Sequence, residues 1–373
     1  MQFRDLKKQY QVLKDDINKE VMQVMNDANF IMGKQVKDLE KELAEYVGVK
    51  HCLTCGNGTD ALQLAAMALD IKEGDAVFVP DFTFFASGEI VSLMGATPIF
   101  VDVDEATFNI SPESLENAIQ HVKASGKYNL KAIIAVDLFG LPANYPEIKQ
   151  IAKKYDMYLI EDGAQGFGGE INGEKACSFG DISTTSFFPA KPLGCYGDGG
   201  AVFTNNDEWA RLIDSYRVHG KGDNKYDNVR IGLNSRLDTI QAAVLSIKLK
   251  AFKEYEVKAV NDVANKYSNA LSRIIRTPHI PNGFMSSWAQ YTLKLSSKED
   301  RDNMQEALKT AGIPSMIYYP KPMHKQEAFG IAEQYESCTV TDKLCDTVLS
   351  LPMHPYMEDS DIDTVVETIK SIL

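Results

Sequence analysis

The chain has 373 residues, of which 44% are apolar and 24% charged, the composition of a globular protein long enough for two domains with large cores. Its net charge of −13 excludes a general nucleic-acid binder, which would need a basic surface. No apolar run approaches the ~20 residues of a membrane span, and the charged N-terminus MQFRDLKKQY lacks the apolar core of a signal peptide, so we expect a cytoplasmic protein without membrane contact.

Apolar residues at helical spacing predict two helices before residue 50. The first covers residues 1–28 and carries an apolar stripe formed by Leu6, Tyr10, Leu13, Ile17, Val21 and Val24. The second covers residues 36–47 and ends at Gly48.

From residue 50 to about residue 215, short apolar runs alternate with helices of about 10–15 residues. The runs that predict strands are 51–55, 76–79, 98–103, 131–137, 158–161 and 201–203. The predicted helices are 60–69, 82–94, a helix that opens at Ser111-Pro112, 145–154, and one from Asn206 to Tyr216. This alternation is typical of an α/β fold with a mostly parallel sheet sandwiched by helices.

The C-terminal third predicts a smaller α/β domain. A strongly apolar helix runs from Leu237 to Leu249 and on towards Lys266, and we place the domain boundary along it. We therefore expect a large domain over residues 1–250, whose N-terminal helix could pack with a small domain over residues 251–373. Because no long Gly/Ser linker separates the two, they are expected to pack closely.

Residues 157–206 carry the most chemical information. One apolar run ends in Glu161-Asp162, a second begins at Ala201, and Lys191 lies between them in the sequence SFFPAKPLG, the lysine loop (residues 186–194). Prolines and glycines on both sides of Lys191 fix a tight loop that presents one amine at a defined place. A solvated surface lysine is the less favoured interpretation.

A glycine turn follows the first predicted strand. Gly56-Asn57-Gly58-Thr59 separates a strand from a helix, an arrangement that points free backbone N–H groups at an anion. Gly-Asn-Gly is also common in ordinary turns, and neither a P-loop nor G-x-G-x-x-G is present. In combination with the lysine loop, phosphate binding is the favoured interpretation.

The segments EDGAQGFGG, SFGDISTTSFFPAKPLGCYGDGGA and GLNSRLDTIQAAVL resemble the DegT/DnrJ/EryC1/StrS family of sugar aminotransferases, and the similarity extends from FRDLKKQY to LSLPMHPY. The resemblance implies the fold type I of aminotransferases that use pyridoxal 5′-phosphate (PLP). It also implies a homodimer with shared active sites and L-glutamate as the amino donor to a nucleotide-linked keto sugar.

The resemblance assigns three residues to the reactive part of the cofactor. Lys191 would form the Schiff base, and its freed amine would move the proton at the substrate carbon. Asp162 would keep the pyridine nitrogen protonated, with Glu161 on the opposite face of the strand; the alternative is that Asp162 only caps the next turn. Gln165 would hydrogen-bond the phenolic oxygen of the ring.

Four further residues are expected at the phosphate. Gly58 and Thr59 would bind it through backbone N–H groups and the Thr59 hydroxyl, and Ser186 would add a second hydroxyl. In this family the residue at Asn234 reaches the phosphate of the neighbouring subunit. The sequence around Asn234 also predicts a helix N-cap, so it could serve in both ways.

The stacking wall and the sugar site are assigned by position in the family pattern. Phe84 is expected to stack on the pyridine ring, with Phe82 as the fallback, although aromatics this close together could be core residues. Arg236 could pair with a substrate carboxylate or diphosphate, and Tyr318 and Tyr319 are expected to line the sugar site.

The segments CYGDGGA, NSRLDT, AQYT and SLPMHPY resemble members that place an amine at C3 of a UDP-linked 2-acetamido uronic acid. A UDP-2-acetamido-3-keto sugar, uronic acids included, is therefore the leading substrate, in surface polysaccharide or lipopolysaccharide O-antigen biosynthesis. Some members have histidine where Tyr318 stands, and the loss of that cation favours a neutral UDP- or dTDP-linked 3-keto or 4-keto sugar as the runner-up.

Three other functions remain open. A PLP-dependent sugar dehydratase on this scaffold would have histidine in place of Lys191, and a non-catalytic sensor of PLP or nucleotide sugars would not need Lys191. A nucleotide-binding α/β enzyme without PLP would use the glycine turn alone.

Other residues with reactive side chains are given structural interpretations. Cys52 and Cys55 form C-x-x-C, but no second metal-ligand pair follows, so a strand that contains two cysteines is favoured and no metal is expected. His324 and His354 each lie beside a proline-bounded loop and could line the substrate site, but a polar surface group is the favoured interpretation of both.

Overall fold

The computed structural model describes residues 1–224, 226–330, 335 and 337–373. The strands are β1 (His51–Cys55), β2 (Asp75–Pro80), β3 (Thr97–Val101), β4 (Asn129–Val136), β5 (Tyr158–Asp162), β6 (Glu170–Ile171), β7 (Glu174–Lys175), β8 (Ile182–Ser186), β9 (Gly200–Thr204), β10 (Phe284–Met285), β11 (Tyr291–Lys294) and β12 (Val348–Leu351). The helices are α1 (Leu6–Asp27), α2 (Lys34–Val47), α3 (Gly58–Ala68), α4 (Ala86–Leu93), α5 (Pro112–Ser125), α6 (Tyr145–Lys154), α7 (Asp207–Tyr216), α8 (Thr239–Ala251), α9 (Val257–Leu271), α10 (Lys298–Thr310), α11 (Thr339–Thr347) and α12 (Asp359–Ile372).

Seven strands form one large sheet in the order β1-β9-β8-β5-β4-β2-β3. The strands from β8 to β3 are parallel to one another, and β9 runs antiparallel to both β1 and β8. β1 therefore points in the same direction as the parallel strands. This arrangement confirms the predicted α/β fold with a mostly parallel sheet.

Helices cover both faces of this sheet, which explains why its strands are nearly continuous apolar runs. In β2, Val77 and Val79 face the core shared with α3, α4 and α7, whereas Ala76 and Phe78 face the core shared with α5 and α6. Successive side chains of a strand point to opposite faces, so this one six-residue strand contributes to both cores.

A separate apolar cluster lies in the C-terminal third. It includes Tyr267 of α9, Tyr291 of β11, Leu308 of α10 and Val365 of α12. A π-helical turn, Phe252–Glu256, joins α8 to α9. The domain division at residue 250 stays a prediction, and this separate cluster is the observation that supports it.

The N-terminal helix is shorter than predicted and packs along α8. Asp5 caps its N-terminus by accepting the Lys8 N–H at 2.8 Å. The residues before α1 reach the C-terminal third, where the Phe3 carbonyl accepts the Met353 N–H at 3.1 Å.

Two predicted boundaries were wrong. The helix expected from residue 82 begins at Ala86, because Asp81 and its neighbours form a loop that binds the 323–325 segment and buries the Phe82 ring. The helix expected from Leu237 begins at Thr239 with Asp238 at its N-cap, so the N-cap interpretation of Asn234 is also wrong.

β8 was not anticipated, because its sequence ISTTS is polar. All five of its residues are nevertheless buried. The hydroxyl of Thr185 donates to the Gly163 carbonyl at 3.0 Å, and that of Thr184 donates to the Glu161 carbonyl at 3.2 Å. Hydrogen bonding of this kind removes most of the cost of burying a hydroxyl.

Across the residues described, no helix combines the length and the apolar character needed to cross a membrane.

Candidate active site

The candidate residues follow the carboxyl ends of strands that point in one direction. Asp162 ends β5, Ser186 ends β8, and the glycine turn follows β1. The carboxyl ends of such strands meet at one edge of the sheet, which is where ligands bind in open α/β sheets. The fold thus brings together segments that are up to 130 residues apart in the sequence.

Asp162 is buried and held by two hydrogen bonds. Its Oδ2 accepts the Ser87 hydroxyl at 2.8 Å, and its Oδ1 accepts the Ala164 N–H at 3.2 Å. The second bond is the turn cap considered as an alternative, so Asp162 caps the turn and also presents a carboxylate to the site. Burial raises the pKa of Asp162, and the two hydrogen bonds and the charge of Lys191 oppose that rise.

Glu161 points away from this edge, as the alternation of β5 predicts. It accepts the Cys177 N–H at 2.5 Å, the Phe179 N–H at 2.6 Å and the Ser183 hydroxyl at 2.7 Å. Burial raises the pKa of Glu161, while the donated hydrogen bonds favour its charged form. These contacts fix the segment that leads into β8 and are structural.

Lys191 lies in a tight turn in which its N–H donates to the Phe188 carbonyl at 2.9 Å. Burial lowers the pKa of Lys191 to about 8; the Asp162 carboxylate acts in the opposite direction, and the Arg4 charge adds to the lowering. An amine with this pKa releases and takes up a proton near neutral pH, which a surface lysine does not.

The glycine turn and Ser186 form a concave, polar site. Asn57 caps α3 by accepting the Asp60 N–H at 2.8 Å, and the N–H groups of Gly58 and Thr59 lie at the open end of this eleven-residue helix. A Cβ atom on Gly58 would lie 2.6 Å from the Ser186 Cβ, so only glycine permits this close approach. N–H groups and hydroxyls at a helix N-terminus form a donor set that fits a phosphate.

Ser235 stabilises the glycine turn from the side. Its hydroxyl oxygen accepts the Gly56 N–H at 2.9 Å and donates to Oδ2 of Asp60 at 2.6 Å. Ser235 immediately follows the predicted site residue Asn234, and its role was not foreseen.

Gln165 and Tyr319 are joined by a hydrogen bond. The Oε1 atom of Gln165 accepts the Phe139 N–H at 2.6 Å, and its Nε2 donates to the Tyr319 hydroxyl at 3.0 Å. The ring of Tyr318 lies 5.7 Å from that of Tyr319 and 6.3 Å from that of Phe3. The two tyrosines therefore form one aromatic group beside the amide of Gln165.

The exposure of the aromatic side chains distinguishes the two candidates for the stacking wall. Phe84 is 55% exposed, and its ring centroid lies 6.3 Å from that of Tyr319. Phe82 is 1% exposed and packs against Phe108 and Phe139. Phe84 is thus the ring that a ligand can reach, and Phe82 belongs to the core.

Asn234 and Arg236 lie between α7 and α8, on either side of Ser235, which binds the glycine turn. Asn234 pairs with Val218 in an isolated backbone bridge and is exposed. In the described part of the chain its side chain makes no hydrogen bond. Arg236 is half-buried.

Neither histidine is the surface group that the sequence suggested. His324 binds Asp81 with both its N–H, at 2.8 Å, and its Nδ1, at 2.6 Å, because the 323–325 turn folds onto the end of β2. His354 is 4% exposed, and burial lowers its pKa to about 4. It lines a small cavity of about 10 Å³ together with Lys191 and Arg4.

Cys52 and Cys55 are buried in β1, and burial raises the pKa of both thiols. This is the structural role that the sequence favoured.

Arg217, to which the sequence assigned no role, is also structural: it pairs with Glu40 at 2.5 Å and Asp214 at 2.6 Å.

Two site contacts were missed because the sequence contains no local signal for them. Ser87 is one of several small residues in an apolar helix, and only its position opposite Asp162 shows its role. Arg4 is one of several charges near the N-terminus, yet its Nη2 donates to the Lys191 carbonyl at 2.8 Å.

Comparison with known proteins places this geometry in a family. The sequence profile of the DegT/DnrJ/EryC1/StrS aminotransferase family matches residues 11–370. A UDP-2-acetamido-2-deoxy-3-oxo-D-glucuronate aminotransferase of Pseudomonas aeruginosa is 43% identical over 366 residues, which is 98% of each chain. A UDP-N-acetyl-3-dehydro-alpha-D-glucosamine 3-aminotransferase of Acidithiobacillus ferrooxidans is 40% identical over 370 residues, which is 99% of this chain and 97% of that protein.

A solved structure supports the same assignment. The crystal structure of a DegT DnrJ EryC1 StrS aminotransferase from Brucella abortus superposes with a TM-score of 0.97 at 46% sequence identity. The superposition covers 100% of this chain and 99% of that one.

Proposed function

This chain belongs to the DegT/DnrJ/EryC1/StrS aminotransferase family, and from that membership we propose that it transfers the amino group of L-glutamate to C3 of a UDP-linked 2-acetamido-3-keto sugar. The chain is a sugar aminotransferase, and its cofactor is PLP. One observation carries the substrate assignment: the two relatives described above, at 43% and 40% identity, are both named for a UDP-linked 3-keto sugar.

The residues at the sheet edge fit the phosphate end of the cofactor. Gly58 and Thr59 would bind the phosphate at the N-terminus of α3, and the hydroxyl of Ser186 would close the site from the opposite side. The close approach of Gly58 to Ser186 supports this, because it brings the N–H end of α3 and the Ser186 hydroxyl to the same place.

The remaining residues fit the ring. Asp162 would hold the pyridine nitrogen, Gln165 the phenolic oxygen, and Phe84 one face of the ring. When bound, PLP supplies an aldehyde that takes up amino groups and a ring that withdraws electrons. The chain itself supplies a carboxylate whose negative charge keeps a proton on the ring nitrogen, and an amine that can carry a proton.

The proton-carrying amine is Lys191. Since burial lowers its pKa to about 8, a substantial fraction of the amine is neutral at physiological pH and can accept a proton. Asp162 faces it with the opposite charge, so the protonated form is also stabilised. An amine poised in this way could take up a proton from the substrate carbon that exchanges its amino group, and could later give one back.

A neutral sugar is the second candidate substrate, and Tyr318 is the observation that favours it. Tyr318 contacts the rings of Phe3 and Tyr319, where a histidine in other members could pair with a substrate carboxylate. Arg236 remains as a cation that could pair with a carboxylate or with the diphosphate.

A panel of keto sugars tests the substrate. UDP-linked 2-acetamido-3-keto sugars with and without a C6 carboxylate, and dTDP-linked 3-keto and 4-keto sugars, would be generated in situ with L-glutamate present. Mass spectrometry would then detect replacement of the ketone oxygen by an amine. Amination of a UDP-linked 3-keto sugar supports the proposal, whereas amination of only the 4-keto sugars contradicts it.

The Arg236→Met variant would locate the carboxylate specificity in the same assay. If Arg236 binds the carboxylate, the variant loses activity on the uronic acid and retains it on the neutral sugar. If Arg236 binds the diphosphate, activity on both sugars falls together. Lys7→Met, which removes an exposed cation on α1, serves as the control and should leave the activity on both sugars unchanged.

The proposal includes a homodimer with shared active sites. Large apolar side chains are exposed near the lysine loop and before α8, among them Phe30 (41%), Phe188 (52%) and Ile231 (89%). Exposed apolar groups of this kind indicate a surface that a partner covers. A second copy would bury them and place its exposed Asn234 at the phosphate.

Subunit mixing tests this arrangement. Lys191→Ala and Asn234→Ala variants would be prepared separately and then mixed under exchange conditions. If Asn234 acts on the neighbouring site, the mixed dimer contains one intact site, and activity rises above that of either variant alone. Activity that does not rise although dimers exchange would contradict a shared site.

The proposal also assigns the product to surface polysaccharide or lipopolysaccharide O-antigen biosynthesis, and the enzyme to the cytoplasm. The six cysteines are all buried and unpaired, which suits a reducing compartment.

A further inference from the structure

Arg4 binds the backbone of the lysine loop directly. Its Nη2 donates to the Lys191 carbonyl at 2.8 Å and to the Pro192 carbonyl at 3.3 Å. The residues on both sides of Arg4 are themselves fixed: Phe3 by the Met353 N–H and Asp5 as the N-cap of α1. One guanidinium nitrogen therefore binds two adjacent carbonyls, which restricts the rotation of the peptide between them.

A second cation binds the same loop from α8. The Nζ atom of Lys248 donates to the Gly194 carbonyl, and its side chain lies over the ring of Tyr196. Lys248 is 1% exposed, and burial lowers its pKa to about 8. Two cations from distant parts of the chain therefore bind carbonyls on the two sides of Pro192.

One carboxylate serves both cations. Glu256 is buried and favours the charged forms of Arg4 and of Lys248. Its Oε1 is held by the Gln9 side chain at 2.8 Å and the Tyr356 hydroxyl at 2.5 Å. With two cations and one carboxylate, the charge beneath the lysine loop is net positive.

We propose that Arg4 is a positioning residue for Lys191: through its hydrogen bonds to the Lys191 and Pro192 carbonyls, its guanidinium fixes the backbone of the lysine loop from which the Lys191 amine extends into the site. This inference rests on the proposed function, in which Lys191 is the reactive amine. The charged groups that act on Lys191 are Asp162 from β5 and Arg4 from the N-terminal segment. The Glu256 carboxylate acts on both Arg4 and Lys248.

Two variants separate the hydrogen bonds from the charge. Arg4→Gln removes the charge and retains one amide donor, so the Lys191 amine should become easier to protonate and its pKa should rise by roughly half a unit. Arg4→Lys retains the charge, but its ammonium ends one bond short of the Nη2 position and lacks the planar guanidinium. The hydrogen bonds to the two carbonyls should therefore weaken and the loop should become more mobile, while the Lys191 pKa stays close to that of the unmodified protein.

The measurement uses the enzyme without cofactor and does not depend on turnover. Limiting acetic anhydride is added across a pH series, and mass spectrometry of the peptide that contains Lys191 gives the pKa of its amine. Hydrogen exchange of residues 188–194 reports the mobility of the loop. Lys7→Gln, an exposed cation on α1, is the matched control and should change neither reading.

The expected result is a Lys191 pKa of about 8 in the unmodified chain, a higher value in Arg4→Gln, and faster exchange of the loop in Arg4→Lys. Unchanged pKa and unchanged exchange in both variants would overturn the inference. If Arg4→Gln does not fold, unchanged loop exchange in Arg4→Lys alone overturns it. Because no substrate is used, a wrong sugar assignment leaves the result intact, whereas failure of Lys191 to react with PLP would contradict the proposed function.

Discussion

The hydroxyl of Ser87 donates a 2.8 Å hydrogen bond to Oδ2 of Asp162, and so connects the first turn of α4 to the end of β5. Both residues are buried, and the bond opposes the rise in the Asp162 pKa that burial causes. In the proposed function Asp162 must stay charged to hold a proton on the ring nitrogen, and that charge would then depend on a serine 75 residues away.

Ser87→Ala should weaken the function of Asp162 without changing the fold. A hydrogen bond to a charged group contributes about 1.5–3 kcal/mol, so the half-reaction with glutamate should slow roughly 10- to 100-fold. Stopped-flow absorbance of the cofactor would measure the rate. Ser92→Ala, an exposed serine on the same helix, should react at the normal rate. A normal rate in Ser87→Ala would show that Asp162 does not need this donor.

Gly58→Ala should reduce cofactor affinity more than Ser186→Ala does. The added Cβ would lie 2.6 Å from the Ser186 Cβ, so α3 and β8 must move apart and the donors at both ends of the proposed phosphate site are displaced, whereas Ser186→Ala removes one hydroxyl and adds no volume. We expect Ser186→Ala to weaken PLP binding roughly 10-fold, for the loss of one hydrogen bond to an anion. Equilibrium titration of PLP would rank the two, and equal affinities would place the phosphate elsewhere.

The reaction of the cofactor-free enzyme with PLP should depend on pH through Lys191. Its pKa is lowered to about 8 by burial, so below pH 8 most of the amine is protonated and unreactive. The association rate should rise about tenfold per pH unit from pH 6 towards pH 8 and level off above it. A rate that continues to rise to pH 10 would indicate an ordinary, exposed lysine.

Asp137 and Glu161 form a buried pair of acids. Replacing one or the other by its neutral amide should change the free energy of unfolding by different amounts. Asp137 has its pKa raised well above normal by burial and by the Glu161 charge, and its Oδ2 accepts no hydrogen bond in the described part of the chain. A proton on Asp137, donated to Glu161, explains both facts. Asp137→Asn keeps a donor there and should change the free energy of unfolding by less than about 1 kcal/mol.

Glu161→Gln should instead destabilise the fold by about 3 kcal/mol. The Glu161 carboxylate accepts N–H groups with both oxygens, and in the variant one of these oxygens is replaced by an NH₂ group that cannot accept a hydrogen bond. Urea unfolding of both variants, monitored by circular dichroism, would measure the difference. Equal destabilisation would mean that Asp137 is charged in the folded protein.

The sequence predicted the secondary structure best where the apolar periodicity agrees with the glycine, proline and capping residues that mark the ends of elements. The apolar stripe of α1, the Ser111-Pro112 start of α5 and six of the seven strands of the central sheet follow from local patterns. The lysine loop and the glycine turn could be identified because prolines and glycines constrain the backbone within a few residues.

The sequence failed where a distant contact decides the local structure. β8 is polar and is a central strand only because Glu161 and Gly163 satisfy its hydroxyls. His324 is only partly exposed because Asp81 binds it from 243 residues away. Arg4 and Ser87 have no local signature, since each acts on a residue that the fold alone brings near.

Borohydride reduction followed by peptide mapping tests the central claim most directly. The protein reconstituted with PLP would be reduced, digested and analysed by mass spectrometry, with Lys191→Ala as the control. The account predicts that the cofactor is attached to the peptide that contains Lys191, and that the variant carries no label while keeping its circular dichroism spectrum. Attachment at another lysine, or none in the unmodified protein, would contradict it.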